Sequence, residues 1–239
     1  AVTVFAGESG TIGEGVSNGA NYSSLLACTG TSGLTGTDGQ VGGTLLVGAA
    51  DTAITCTITN TRRSATLTLR KTWVNALNGE TATVTSTGFT NNASSGLSTS
   101  TGNNTTTGTS VTVFAGEAGT ISETLTNAGN YNATLACTGT SGLAGNALTI
   151  GAADTAIVCT QTNTRRSATL TLRKTWVNGA TGETATVTST GFTNNASSGL
   201  STSTGNNTTT GTSVTVFAGE AGTISETLTN AGNYNATLA

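Results

Sequence analysis

The chain has 239 residues, a formal net charge of −3 and only 8% charged residues, with no histidine, methionine or proline. Its few basic residues are scattered, which gives no basic patch for nucleic acid, and no run of about 18 apolar residues offers a membrane span. No nucleophile motif, paired-carboxylate motif or metal-ligand cluster is present, so neither an enzyme acting on an external substrate nor a cofactor or metal is expected.

Threonine alternating with Leu, Val and Ile favours strands, Gly and Asn supply turns, and no long apolar stretch has a helical period. An all-β chain is therefore expected. In chain order, residues 1–63 read as the C-terminal part of a repeat. Val2-Thr-Val-Phe-Ala-Gly-Glu8 matches Val111–Glu117, and Glu14 in Thr11-Ile-Gly-Glu14 matches Glu123. Six extra residues near Thr37–Gly42 read as a loop insertion. Ile54, Cys56, Ile58 and Asn60 then share one face of a closing strand.

Residues 64–166 form one whole repeat. It opens with Ser64–Asn75, where Leu67, Leu69, Lys71 and Trp73 alternate with Thr66, Thr68, Arg70 and Thr72. Alternation puts Lys71 on the apolar face, where an ammonium group does not belong unless it is paired or chemically changed. Ser94–Ser110 is the most polar stretch and reads as an exposed hairpin or loop. Glu117, in Ala-Gly-Glu, reads as a hairpin-loop residue, and Glu123 lies in phase with Ile121 and Leu125. Asp154 is expected to make an Asx turn before the last strand, on which Asn163 shares a face with Ile157 and Cys159. A very short linker near Thr164–Ser167 leads into residues 167–239, the N-terminal part of a third repeat, which carries Lys174 and Glu226. Gly182–Ala239 repeats Gly79–Ala136 without change at an offset of 103 residues, the spacing of the only two lysines, Lys71 and Lys174. A period this long indicates domain-sized units and not a solenoid, whose repeats run about 20–50 residues. Starting and stopping mid-repeat suggests an excerpt of a longer protein, or a subunit completed by head-to-tail neighbours.

The four cysteines fall into two equivalent pairs, each on inward strand positions, and the expected disulfides are Cys28–Cys56 and Cys137–Cys159. Buried free thiols are the alternative; two cysteines per repeat without histidine make a poor zinc site. Disulfides would imply an oxidising, extracellular compartment.

Each repeat thus offers an inward Lys on its first strand, an inward Glu in the middle and an inward Asn on its last. Burial lowers the pKa of a lysine and raises that of a carboxyl group. A neutral Lys71 could attack the side-chain carbonyl of Asn163, with Glu123 shuttling protons, to give an amide and ammonia. Glu14 with Asn60, and Lys174 with Glu226, hold the corresponding positions in the flanking repeats. The plain alternatives are an ion pair between Lys71 and Glu123, with the lysine reaching to the strand edge, and a turn-capping role for Asn163.

The order of Lys71 in Leu69-Arg-Lys-Thr-Trp73, Glu123-Thr124 followed by Gly129-Asn-Tyr131, and Asn163 in Thr-Asn-Thr resembles the collagen-adhesin B-type, or SpaA-like prealbumin-fold, domains of bacterial surface proteins. The resemblance spans Ser64 to Arg166 and departs from the family in lacking a proline before Gly-x-Tyr and in carrying a disulfide. It implies tandem immunoglobulin-like or prealbumin-like β-sandwich domains of about 100 residues, and an autocatalytic Lys–Asn isopeptide bond assisted by Glu. The expected role is a structural repeat of an extracellular fibre or adhesin stalk on a bacterial surface. Its expected partners are further copies of itself, in the same chain or head to tail, with lateral bundling of the rods. The competing expectation is a surface-binding module that recognises glycan or ice through threonine-rich strand faces.

Overall fold

The computed structural model describes residues 1–35 and 42–238, so the insertion expected near Thr37–Gly42 falls almost wholly outside the described residues. The chain divides into two compact units. The first comprises Ala1–Trp73, Asn78–Thr126 and Thr134–Thr162; the second comprises Val74–Leu77, Asn127–Ala133 and the chain from Asn163 onward.

In the first unit the opening repeat supplies β1 (Ser9–Gly13), β2 (Tyr22–Thr29), β3 (Leu34–Thr35), β4 (Gly42–Leu46) and β5 (Thr55–Arg62). They form a three-stranded sheet in the order β1-β4-β3 and a β2–β5 pair. The whole repeat follows with β6 (Ser64–Val74), β7 (Thr81–Thr87), β8 (Ser98–Thr99), β9 (Asn104–Thr107), β10 (Val111–Phe114) and β11 (Ala118–Leu125), then β12 (Tyr131–Thr138), β13 (Leu143–Ala144), β14 (Ala147–Thr149) and β15 (Ala156–Arg165). One sheet runs β10-β6-β15-β12, with β9 also on β6; the other runs β13-β14-β11-β7-β8. The β6–β15 neighbourhood opens with the Thr66 N–H donating to the Thr155 carbonyl at 3.0 Å.

Two-residue alternation builds the core between these sheets. Leu67 and Leu69 of β6 and Ile157 of β15 face Val84 of β7, Ile121 of β11 and Leu148 of β14, all of them buried in one cluster. Fully burying side chains of this size contributes about 1.5–3 kcal/mol each. Cys28 lies opposite Cys56 across β2 and β5, and both expected disulfides are present, Cys28–Cys56 and Cys137–Cys159.

The second unit contains β16 (Ser167–Leu170), β17 (Arg173–Trp176), β18 (Thr184–Thr190), β19 (Ser201–Thr202), β20 (Asn207–Thr210), β21 (Val214–Phe217) and β22 (Thr223–Leu228). Its pairings are β16–β21, β17–β20 and β19-β18-β22, with a smaller core that includes Leu172, Val187 and Ala196. Among the described residues the only helical elements are three short 3-10 turns. Each follows an asparagine with positive φ, namely Asn18, Asn127 and Asn230, a conformation asparagine tolerates better than most residues.

Two local expectations need correction. The polar Ser94–Ser110 stretch, expected to be an exposed hairpin or loop, is exposed only in part: it contains β8 and β9, and Ser95, Ser98 and Ser100 are buried. Its hydroxyls replace water with internal partners. Ser98 Oγ accepts from Trp73 Nε1 at 2.9 Å, and Ser95 Oγ accepts from the Val84 N–H at 2.9 Å. Asp154 does not make an Asx turn into the last strand. Its Oδ2 reaches back to the Gly151 N–H and the Thr140 hydroxyl, both at 2.8 Å, so it closes the turn that precedes it.

The Cys137–Cys159 bridge closes a separation of 22 residues. Replacing both cysteines by alanine is expected to lower the unfolding free energy by about 3 kcal/mol, read as a lower denaturation midpoint. An unchanged midpoint would show that the bridge adds nothing to stability.

Candidate functional site

Strand β6 has eleven residues, and its inward face reads Ala65, Leu67, Leu69, Lys71 and Trp73, all buried. The alternation that builds the core therefore carries Lys71 into it, at 0% exposure. Strand β9 seals the sheet on that half of β6, with Lys71 in register with Thr106. Lys71 Nζ lies 3.2 Å from Oε1 of Glu123, which projects from β11 opposite Val84 of β7. The same ammonium donates to the Thr72 carbonyl at 3.0 Å and sits 4.2 Å from the centroid of the Trp73 ring. A cation over an indole face is worth about 0.5–2 kcal/mol.

Removal from water is the largest influence on Lys71 and pushes its pKa down; the charge and hydrogen bond of Glu123 pull the other way without cancelling it. The net lowering brings the neutral, nucleophilic amine within easier reach.

The repeats allow the same site to be seen with different members present. In the second unit Lys174 Nζ lies 2.6 Å from Glu226 Oε1 and 4.6 Å from the Trp176 ring centroid, and Trp176 Nε1 again donates to a serine, Ser201, at 3.0 Å. In the opening repeat Glu14 holds the asparagine. Asn60 Nδ2 donates to Glu14 Oε1 at 2.9 Å and to Oε2 at 2.8 Å, and its Oδ1 accepts from the Ser24 hydroxyl. Asn163, the counterpart of Asn60, is fully buried on β15, the strand beside β6 in the sheet order. The structure therefore brings together Lys71 with Glu123, Lys174 with Glu226 and Glu14 with Asn60.

The sequence reading missed a second carboxylate. In the second unit the Tyr234 hydroxyl donates to Glu183 Oε2, Asn230 Nδ2 donates to Glu183 Oε1 at 3.0 Å, and the Ala180 N–H donates to the Tyr234 oxygen at 3.0 Å. The bond to Glu183 holds the Tyr234 phenol above its usual pKa. The signal was available in the Gly-x-Tyr sequence, whose tyrosine needs a partner for its hydroxyl. Among the described residues no group of three or more His, Cys, Asp or Glu is arranged to hold a metal ion.

An all-β architecture with the lysine strand beside the asparagine strand in one sheet of a two-sheet sandwich defines a prealbumin-like class of domain. A family model described as a prealbumin-like fold domain, of SpaA type, matches residues 62–161 and again 165–238. The chain belongs to this family. No curated protein matches it. Among the described residues no helix is long and apolar enough to cross a membrane.

The lowered pKa of Lys71 fixes a pH dependence for the chain without a cross-link. Between the folded-state value and 10.5 the unfolded chain holds a proton that the folded one has released, so stability rises with pH across that window and is flat on either side. An Asn163→Ala chain, which cannot form an amide, is expected to gain thermal stability over that window. Adding Lys71→Met should remove the slope; a slope that persists would assign it to other groups.

Proposed function

We propose that the chain is a run of structural repeats from an extracellular fibre or adhesin stalk, and that each complete repeat is locked by an isopeptide bond between its first and last strands. Its sequence repeats are residues 1–63, 64–166 and 167–239, with the middle one complete, each about 100 residues long when whole. The observation that carries this reading is the double role of the glutamate: it holds the lysine in two copies of the repeat and the asparagine in a third.

In the proposed reaction, neutral Lys71 Nζ attacks Asn163 Cγ. Glu123 protonates the carbonyl oxygen, passes a proton from the attacking nitrogen to the departing one, and takes back the oxygen's proton as the C=O bond re-forms. The Nζ–Cγ bond forms, the Cγ–Nδ2 bond breaks and one ammonia leaves. Burial supplies the proximity that makes the step effectively unimolecular. The product replaces a costly buried cation with a neutral amide. It also ties β6 to β15, so tension entering at one strand leaves through the other across covalent bonds. This is single-turnover chemistry within the fold, with no external substrate. The disulfides and the family resemblance support an oxidising, cell-surface location. The partners are further copies of the repeat.

A surface-binding role is the second reading, favoured by exposed threonine pairs such as Thr72–Thr105 at 2.9 Å and Thr175–Thr208 at 3.0 Å. Their hydroxyls bond to each other, which supports sheet cohesion more directly than capture of a ligand.

Intact mass spectrometry of the reduced chain tests the proposal. It should read about 17 Da low, one ammonia per closed repeat, and the deficit should vanish in Lys71→Ala and in Glu123→Ala. A full mass in the unsubstituted protein would leave Lys71 as one half of an ion pair and raise the surface-binding reading.

A further inference from the structure

Two consecutive arginines close each repeat that is followed by another, Arg62-Arg63 and Arg165-Arg166. Only Arg63 separates β5 from β6, and only Arg166 separates β15 from β16. In the first unit Arg62 points forward into the next repeat. Its Nε donates to the Ala115 carbonyl at 2.9 Å, its guanidinium carbon lies 5.6 Å from the Phe114 ring centroid, and its Nη1 is 3.8 Å from Glu117 Oε1. Arg63 faces backward, its Nε donating to the Tyr22 carbonyl at 3.2 Å. The backbone is stitched to both sides: the Arg63 N–H donates to the Asn21 carbonyl at 2.8 Å, and the Ala115 N–H donates to the Arg63 carbonyl at 2.9 Å.

The second unit repeats every one of these contacts. Arg165 Nε donates to the Ala218 carbonyl at 2.7 Å, its guanidinium lies 5.7 Å from the Phe217 centroid, and its Nη1 is 3.8 Å from Glu220 Oε1. The Arg166 Nε donates to the Tyr131 carbonyl at 3.2 Å, its N–H to the Asn130 carbonyl at 2.8 Å, and the Ala218 N–H to the Arg166 carbonyl at 2.8 Å. The Arg165 and Glu220 side chains keep only 4% and 6% exposure. The receiving loop is closely fitted too. A Cβ on Gly116 would lie 2.5 Å from Asn21 Nδ2, and one on Gly219 would lie 2.7 Å from Asn130 Nδ2.

We propose that the Phe-Ala-Gly-Glu loop of each repeat is a docking site for the Arg-Arg end of the preceding copy, and that this pairing fixes the angle between successive repeats. The loop closes on its own glutamate in the same way in all three copies. In Phe5-Ala6-Gly7-Glu8 the Phe5 N–H donates to Glu8 Oε2 at 2.8 Å, as Phe114 and Phe217 donate to Glu117 and Glu220 at 3.1 and 2.9 Å. Burial by itself would raise the Glu117 and Glu220 carboxyls; hydrogen bonds from the loop and from Thr90 or Thr193, with the arginine charge, together hold both below the usual value and keep them ionised for the arginine.

The inference rests on the tandem-repeat part of the proposed function and is independent of the isopeptide. Trypsin digestion of the full chain tests it, because the ligand residues are themselves cleavage sites. Cleavage after Arg62, Arg63, Arg165 and Arg166 is expected to be slow in the unsubstituted chain and at least tenfold faster in Glu117→Ala/Glu220→Ala, while the lysine-site mass deficit stays as it was. Nitrogen-15 relaxation provides a second readout on Arg62→Lys/Arg165→Lys, which keeps the charge and loses the planar fork. Residues on the two sides of each junction should share one tumbling time in the unsubstituted chain and separate in the variant. Junction cleavage at the unsubstituted rate, with unchanged relaxation, would overturn the proposal.

Discussion

A lysine ammonium group inside a sandwich of leucines, isoleucines and valines is the constraint around which the rest of this protein is arranged. The group cannot be left alone there, since removing a cation from water is costly unless something compensates. Glu123, the Thr72 carbonyl and the Trp73 ring all converge on Lys71 Nζ, and Ser98 in turn holds the indole in place. A site made only for stability would do better with a methionine or leucine in that position. The pair links β6 to β11 across the two sheets and returns as Lys174 and Glu226, a recurrence that motivates the proposed chemistry.

Much of this was legible in the residues because strand alternation is a strict code. One-residue parity places Lys71, Glu123, Cys159 and Asn163 inward from sequence alone, and the repeat confirms each phase independently. The disulfides follow from the same parity. What escaped had a different physical origin. The serines of the 94–110 stretch look solvated, but Ser95 and Ser98 are buried with their hydroxyls bonded to Val84 N–H and Trp73 Nε1, partners that parity does not reveal. Arg165 gave no sign of its role either. Its partners Phe217, Ala218 and Glu220 lie more than 50 residues away in the next repeat, and an Arg-Arg dipeptide between strands reads as a solvated linker.

The inward lysine and the junction arginines address two weaknesses of a chain of small β-domains. Within a repeat, a sheet pulled from its ends can peel; the proposed amide joins the strands at which force enters and leaves. Between repeats, a flexible linker would let the array buckle; a single-residue connection with the backbone stitched on both sides leaves little freedom for that. Low overall charge and hydroxyl pairs such as Thr72–Thr105 and Thr175–Thr208 mark the outer strand faces.

The most direct measurement is the nitrogen-15 spectrum of the protein labelled only in lysine side chains. With two lysines in the chain, Lys71 and Lys174, there are two Nζ signals to assign. A covalently locked repeat predicts that Lys71 Nζ resonates in the amide region, carries a single proton and correlates with the side-chain carbonyl carbon of Asn163. A Lys71 signal in the ammonium region, with no such correlation, would contradict it.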